Sequence, residues 1–263
     1  MTMLLPKIER LTSEHNTKPR RGGIEYIAVH YTAGWDSSPG KAADNARYYA
    51  ITSEQASADF FVDEGGIVQY NPAPEKRYCW AVGGKEADTS QGGGSLFGIA
   101  KNANTVSVEM CSRNAKGKPP TPKGWDANDP GYSISPPVIA HAVVLVRYLM
   151  AEWDIPMGHL CRHFDVTGKL CPGVMGWNDA SSDTANWEAF KTMVAQPTVP
   201  VERFNMVAEL PDWAKPTIRK LCDYGYLRGG ETVYDVNGRP ADLDLSMDMI
   251  RVMVMNDRAG VYG

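Results

Sequence analysis

The sequence predicts an α/β protein, with a mixed central β-sheet flanked by helices and a small, mainly helical C-terminal domain. Three observations predict it. Apolar and polar residues alternate through Ile24 to Thr32 and again through Thr105 to Met110, the period of a half-buried strand. From Pro137 to Trp153, Val138, Ala142, Leu145, Val146 and Leu149 instead recur at helical spacing, as in a helix laid on a sheet. Gln196-Pro-Thr-Val-Pro200 then has the composition of an extended linker, giving domains at 1–196 and 203–263 with a linker at 197–202.

In the first strand Ile27, Val29 and Tyr31 share one face and Ala28, His30 and Thr32 the other, so His30 points away from the more apolar side. Helix formers run from Lys41 to Ala50 after Ser37-Ser-Pro-Gly40. Ala58 to Val62 and Ile67 to Tyr70 flank Asp63-Glu-Gly-Gly66 and read as a hairpin. In Thr105 to Met110 the apolar face is Val106, Val108 and Met110, which leaves Glu109 with Thr105 and Ser107 on the polar one. Gln91 to Ser95 and Lys116 to Tyr132 are surface loops, His141 lies off its helix's apolar stripe and reads as solvated, and another helix spans Thr184 to Val194.

Beyond the linker, Asp212 to Tyr224 sets Ile218, Leu221 and Cys222 on one helical stripe. Ser246 can cap a second helix striped with Met249, Ile250, Met253 and Val254. About sixty residues bury only a marginal core, so exposed Met-rich faces are expected to dock on the first domain or pair between chains.

At 263 residues, 43% hydrophobic and 22% charged, the composition is that of a soluble globular protein with one substantial domain and a small one. The net charge of −4 excludes a general attraction to nucleic acid, anionic lipid or anionic wall polymer. Met1 to Arg21 contains no apolar run long enough for a signal peptide or membrane span, so accumulation in the cytoplasm is expected. Five cysteines, with no CxxC pair, are too few and too scattered for a disulfide framework; reduced thiols fit, with one available to a metal.

The chemistry-bearing stretch is Arg162-His-Phe-Asp-Val-Thr-Gly-Lys-Leu-Cys-Pro-Gly173. Pro172 favours an extended Cys171, and in an extended segment Lys169 and Cys171 project to one side, so a metal at Cys171 would have a cation beside it. Catalytic zinc usually takes three protein ligands and keeps a fourth position for water, and His30, His163 and Cys171 would supply such a set. An ordinary strand histidine and a buried thiol meet the same spacing, which alone does not choose between them.

Val29-His30-Tyr31-Thr32-Ala33, Asn104-Thr-Val-Ser-Val-Glu109, His163 and Lys169-Leu-Cys-Pro172, in that order over roughly residues 24 to 195, resemble the zinc amidases of the phage-lysozyme and peptidoglycan-recognition type. The resemblance implies one zinc ion at one end of an open groove, held by His30, His163 and Cys171, and hydrolysis of the N-acetylmuramoyl-L-alanine bond of peptidoglycan. The residue chemistry is consistent with that: Glu109, on the polar face of its strand, could take the water's proton and return it to the leaving amine, and Lys169 would stabilise the oxyanion. Tyr31, Trp35, Trp80, Gly83 and Gly84 are then candidates for the groove wall. Relatives often carry a His, some with a Tyr before it, where this chain reads Ser57-Ala-Asp-Phe-Phe61. Ala58 cannot donate a hydrogen bond there, and Asp59 is an open candidate.

Competing readings are a non-hydrolytic recognition module, against which Cys171 and Glu109 argue, and a structural zinc site of His159, Cys161, His163 and Cys171. A third reading is an endopeptidase or glycosidase acting on the same polymer; a glycosidase would need two carboxylates across a cleft, and no such pair is evident. A wall hydrolase without an export signal implies a phage or prophage endolysin freed at lysis of a Gram-positive cell, or a host autolysin exported differently. The C-terminal domain resembles a divergent S-layer-homology unit, but reads Asn256-Asp-Arg-Ala-Gly260 where that family has Thr-Arg-Ala-Glu. It is expected to bind a secondary wall polymer or to form homo-oligomers.

Overall fold

The computed structural model describes residues 7–83, 86–90, 92–121, 124–126, 129–178, 183–196, 203–229 and 234–262. The chain divides into two units, Met1–Gln196 and Pro197–Gly263, and the linker expected at 197–202 lies outside the described residues.

Along the first unit run β1 (Ile8–Arg10), β2 (Thr17–Pro19), β3 (Tyr26–Tyr31), α1 (Lys41–Ile51), β4 (Phe60–Asp63), β5 (Gly66–Gln69), β6 (Arg77–Cys79) and β7 (Thr105–Met110). Then come β8 (Arg113–Asn114), β9 (Tyr132–Ser133), α2 (Pro136–Glu152), β10 (Leu160–Arg162), α3 (His163–Thr167) and α4 (Ala185–Ala195). Six strands form the main sheet in the order β1-β5-β4-β7-β3-β10. Only the β4–β5 hairpin is antiparallel, so the sheet is mixed.

The alternating strands bury their apolar faces under α2. Ile27, Val29 and Tyr31 of β3 and Val106, Val108 and Met110 of β7 share a core with Val138, Ala142, Leu145, Val146 and Leu149 of α2. Each fully buried aliphatic side chain contributes about 1.5–3 kcal/mol. A one-residue slip of β3 or β7 would forfeit that whole set and turn His30 or Glu109 into the core. Register is thus fixed by apolar burial on one face, and chemistry is left to the other.

Asp63 links the hairpin to α1, which has no local side-chain cap: one carboxylate oxygen accepts from Gly40 N and Ala42 N, the other from Gly65 N and Gly66 N. His141 is half-buried rather than solvated, its Nδ1 3.0 Å from the Asp63 carbonyl oxygen. Its place off the apolar stripe hid a polar contact with the hairpin.

In the second unit β11 (Arg203–Phe204) pairs antiparallel with β12 (Leu245–Ser246), beside α5 (Lys215–Asp223) and α6 (Met247–Arg258). Ile218, Leu221, Leu245, Ile250 and Val254 form its core, and the Ser246 hydroxyl caps α6 by accepting from Met249 N at 3.3 Å. Met249 itself is exposed; it lies at the edge of the stripe, and the two-stranded ribbon supplies apolar contacts the helical pattern did not reveal. Among the described residues, no helix is long and apolar enough to cross a membrane.

Candidate active site

Two stretches far apart in sequence, β3 and residues 162–173, converge at one end of β3. His30 stands near the C-terminal end of that strand; β10 runs parallel beside it, with Arg162 opposite Val29, and so delivers His163 at the start of α3. The chain then turns at Gly168, in the left-handed conformation that ends α3 at φ 81°, and returns Cys171, whose carbonyl accepts from Phe164 N at 3.1 Å. A side chain at Gly168 would collide with the Asp88 carbonyl, and Asp88 N donates to Thr167 O at 2.6 Å, so the 86–90 segment is seated directly on this turn. The Cys171–Pro172 peptide is cis.

The ligand atoms of His30, His163 and Cys171 all lie within 4.8 Å of one another, and all three residues are buried. The imidazoles meet edge to face with centroids 4.8 Å apart. Cys171 Sγ is 3.6 Å from His30 Nδ1, while His30 Nε2 is sealed from solvent without a hydrogen-bond partner. A tetrahedral zinc with nitrogen at about 2.0 Å and sulfur at about 2.3 Å holds two such donors about 3.5 Å apart. The donor set and its spacing therefore fit one zinc ion.

Burial shapes the protonation of this cluster. It pushes His163 down to about 3 and His30 well below its usual range, helped at His30 by the neighbouring His163 and at both by the Lys169 charge. Both imidazoles are thus neutral and able to ligate at physiological pH. The Cys171 thiol is pushed up to about 12, first by burial and then by Glu109, with Lys169 opposing.

Glu109 lies opposite His30 in the parallel β3–β7 pair, on the same face. Its residue surface is partly open, yet Oε2 is sealed and has no hydrogen-bond partner. Burial raises its carboxyl to about 8 against the pull of Lys169. Lys169 itself is exposed and lines, with His163 and Thr167, an open cleft of about 810 Å³. Trp80 and Gly83 line that cleft too.

The other wall candidates fall elsewhere. Tyr31 is in the core, edge to face with Tyr132 at 5.6 Å, because odd positions of β3 face α2; it cannot form a groove wall. Trp35 lines a separate groove with Trp125 and Tyr132, and Gly84 lies outside the described residues. Asp59 is buried and accepts from Ser107 N, Ser107 Oγ and Asn71 Nδ2, at 2.8, 2.8 and 2.7 Å, so its carboxylate is consumed by a structural network. The tetrad of His159, Cys161, His163 and Cys171 is not assembled: His159 stacks on Tyr26 at 4.4 Å, and among the described residues the single candidate metal cluster contains His30 instead.

Sequence reasoning overlooked Arg162. Its buried guanidinium pairs with Asp165 at 2.6 Å, donates to the Trp177 carbonyl and lies over the rings of Phe164 and Trp187, clamping the backbone on either side of His163. The i,i+3 spacing of Arg162 and Asp165 was the available signal.

The sequence profile of the N-acetylmuramoyl-L-alanine amidases matches residues 19–174, a span holding the whole cluster, Glu109 and Lys169. The chain belongs to that family. This amidase-family chain is 27% identical over 164 residues to N-acetylmuramoyl-L-alanine amidase CwlL of Bacillus licheniformis, covering 59% of the chain and 38% of CwlL. It is 30% identical over 156 residues to N-acetylmuramoyl-L-alanine amidase BlyA of Bacillus subtilis, covering 57% of the chain and 36% of BlyA. The chain thus spans well under half the length of these curated relatives. Among solved structures, a mutant endolysin from Bacillus subtilis aligns with TM-score 0.50 and 25% identity, over 73% of the chain and 100% of that structure. The amidase-family fold accounts for the first unit, mixed sheet and flanking helices included.

Proposed function

We propose that the protein is a zinc-dependent N-acetylmuramoyl-L-alanine amidase that hydrolyses the bond between N-acetylmuramic acid and the first alanine of the peptidoglycan stem peptide. The observation that carries this reading is the buried His30, His163 and Cys171 cluster, whose His163 lines the cleft, with an unpartnered carboxylate oxygen of Glu109 on the same sheet face as His30. His30, His163 and Cys171 would hold zinc, which when bound supplies Lewis acidity to the scissile carbonyl and acidifies water.

The remaining steps fall to the chain's own groups. Glu109, raised towards neutrality by burial, takes a proton from the attacking water and passes it to the leaving alanine nitrogen. Lys169, in the cleft lining beside His163, offers its ammonium to the oxyanion that develops as the carbonyl is attacked. Arg162 keeps the His163 backbone in place, and the Asp88 segment on Gly168 fixes the turn that presents Lys169. Digestion of purified Gram-positive peptidoglycan should expose new N-terminal alanine and no new reducing sugar. New reducing ends would overturn the reading in favour of a glycosidase.

The biological setting we infer is an endolysin of a phage or prophage, made in the cytoplasm and freed at lysis of a Gram-positive cell, a reading supported by the likeness to an endolysin from Bacillus subtilis. The second unit we assign to anchoring, on a secondary wall polymer or on another copy of the chain. Support comes from the contiguous Tyr224 and Tyr226, both largely exposed.

A further inference from the structure

The cleft contains a second ammonium group for which the reaction has no use. Lys18 is exposed on β2, opposite Tyr78 of β6, and its Nζ sits 5.3 Å from the centre of the Trp80 ring. Lys18, Tyr78 and Trp80 line the same cleft as His163 and Lys169. Among the described residues five other lysines are ion-paired, whereas neither Lys18 nor Lys169 is. Lys169 is taken up by the oxyanion. Lys18 is left with its charge uncancelled at the cleft wall.

The Trp80 face matters to what Lys18 can do. A cation over an indole is held by the ring quadrupole without being neutralised, so the long side chain is pre-ordered while its charge remains available. The ring also removes water from one side of the ammonium, which strengthens any further contact it makes. Glu86 and Asp88 line the cleft too, with Asp88 kept anionic by the Ser90 hydroxyl and amide. The cleft is therefore not a general polyanion trap; its positive charge is local, and suits a single carboxylate on a ligand of mixed charge.

In a peptidoglycan stem the residue after the scissile alanine amide is linked through its side-chain carboxyl, so its α-carboxyl is either a free carboxylate or an amide. We propose that Lys18, held on the Trp80 face, reads that free α-carboxylate and makes the enzyme selective for stems that are not amidated at the second residue. This assignment rests on the amidase reading and names its substrate more narrowly.

The test uses the full-length zinc-loaded protein and two muramoyl tripeptides that differ only in a carboxylate or a carboxamide at the second residue. Wild type should favour the carboxylate in kcat/KM by about fivefold, the scale of one partly exposed charge-assisted contact, and less so as salt is raised. Lys18→Met should abolish the preference by raising KM for the carboxylate substrate, with kcat and the amidated substrate unchanged, and Lys18→Arg should retain it. A wild type without preference, or a preference that survives Lys18→Met, would overturn the assignment alone. A wild type that cleaves neither tripeptide nor whole peptidoglycan would overturn the amidase reading and this assignment with it.

Discussion

His30 and Glu109 are direct neighbours across the parallel β3–β7 ladder, so a candidate metal ligand and a candidate proton carrier are positioned by one strand register. The opposite face of both strands is locked under α2, which explains why a carboxylate can be kept where it is costly. Glu109 destabilises the metal-free protein by burying a carboxyl oxygen that has no hydrogen-bond partner, and such strain is typical of sites shaped for chemistry.

Glu109→Gln should therefore separate function from stability. Activity should fall at least about a hundredfold with zinc retained. In the metal-free folded protein the Glu109 carboxyl titrates near 8, against 4.5 ordinarily, so the folded state holds a proton the unfolded state has lost, and stability declines as pH rises from 4.5 to 8. The substitution removes that decline. Discounted for the partly open side chain, the gain is on the order of 2 kcal/mol, or about 5 °C in Tm at pH 8, and little at pH 4.5. Thermal melts of the metal-free proteins across this range check it; equal Tm values at pH 8 would remove the burial argument.

Lys169→Ala should lower kcat at least about a hundredfold, the usual scale for loss of an oxyanion donor, without loss of metal. Turnover within about threefold of wild type would remove Lys169 from the mechanism.

Zinc uptake should release protons in a pattern set by the cluster. Both histidines are already neutral above about pH 6, whereas Cys171, pushed up to about 12, must give up its thiol proton to ligate. In Glu109→Gln, which removes the other titrating side chain, log affinity should rise by about one per pH unit near pH 6, below the range in which zinc-bound water ionises. Calorimetry in buffers of different ionisation enthalpy reads the proton count directly. At pH 6, below the range in which zinc-bound water ionises, two protons per zinc in that variant would mean that a histidine is charged in the metal-free protein.

Much of this fold was legible because β3, β7 and α2 are long enough to show their period, and because β3 and β7 gather their aliphatic residues on the face towards α2, although both faces are buried. The strands β1, β2, β6 and β10 were not legible: three residues cannot display alternation, and they exist because a neighbouring ladder or core accepts them. Yet β10 is what sets His163 beside His30. Tyr31 shows a reading that ignored its own geometry, for the alternation that turned His30 away from α2 also sent Tyr31 to the core. Asp59 could not be judged from sequence, since its Ser107 and Asn71 partners sit 48 and 12 residues away.

Ending the chain at Gln196 removes the second unit but leaves the first unit's core intact. The shortened protein should keep zinc and cleave soluble muramyl-peptide, yet bind and lyse whole Gram-positive cells poorly and sediment as a monomer. Lysis equal to that of the full chain, with unchanged assembly state, would refute both anchoring roles.

The central claim is that one zinc held by His30, His163 and Cys171 is required for amide hydrolysis, and zinc content measured alongside activity tests it most directly. Wild type should carry one zinc per chain, lose activity in step with zinc under a strong chelator and regain it when zinc is restored, while His163→Ala and Cys171→Ser bind little metal and Cys161→Ser binds it normally. Full activity in chelated, zinc-free protein, or full zinc occupancy in both ligand variants, would contradict the account.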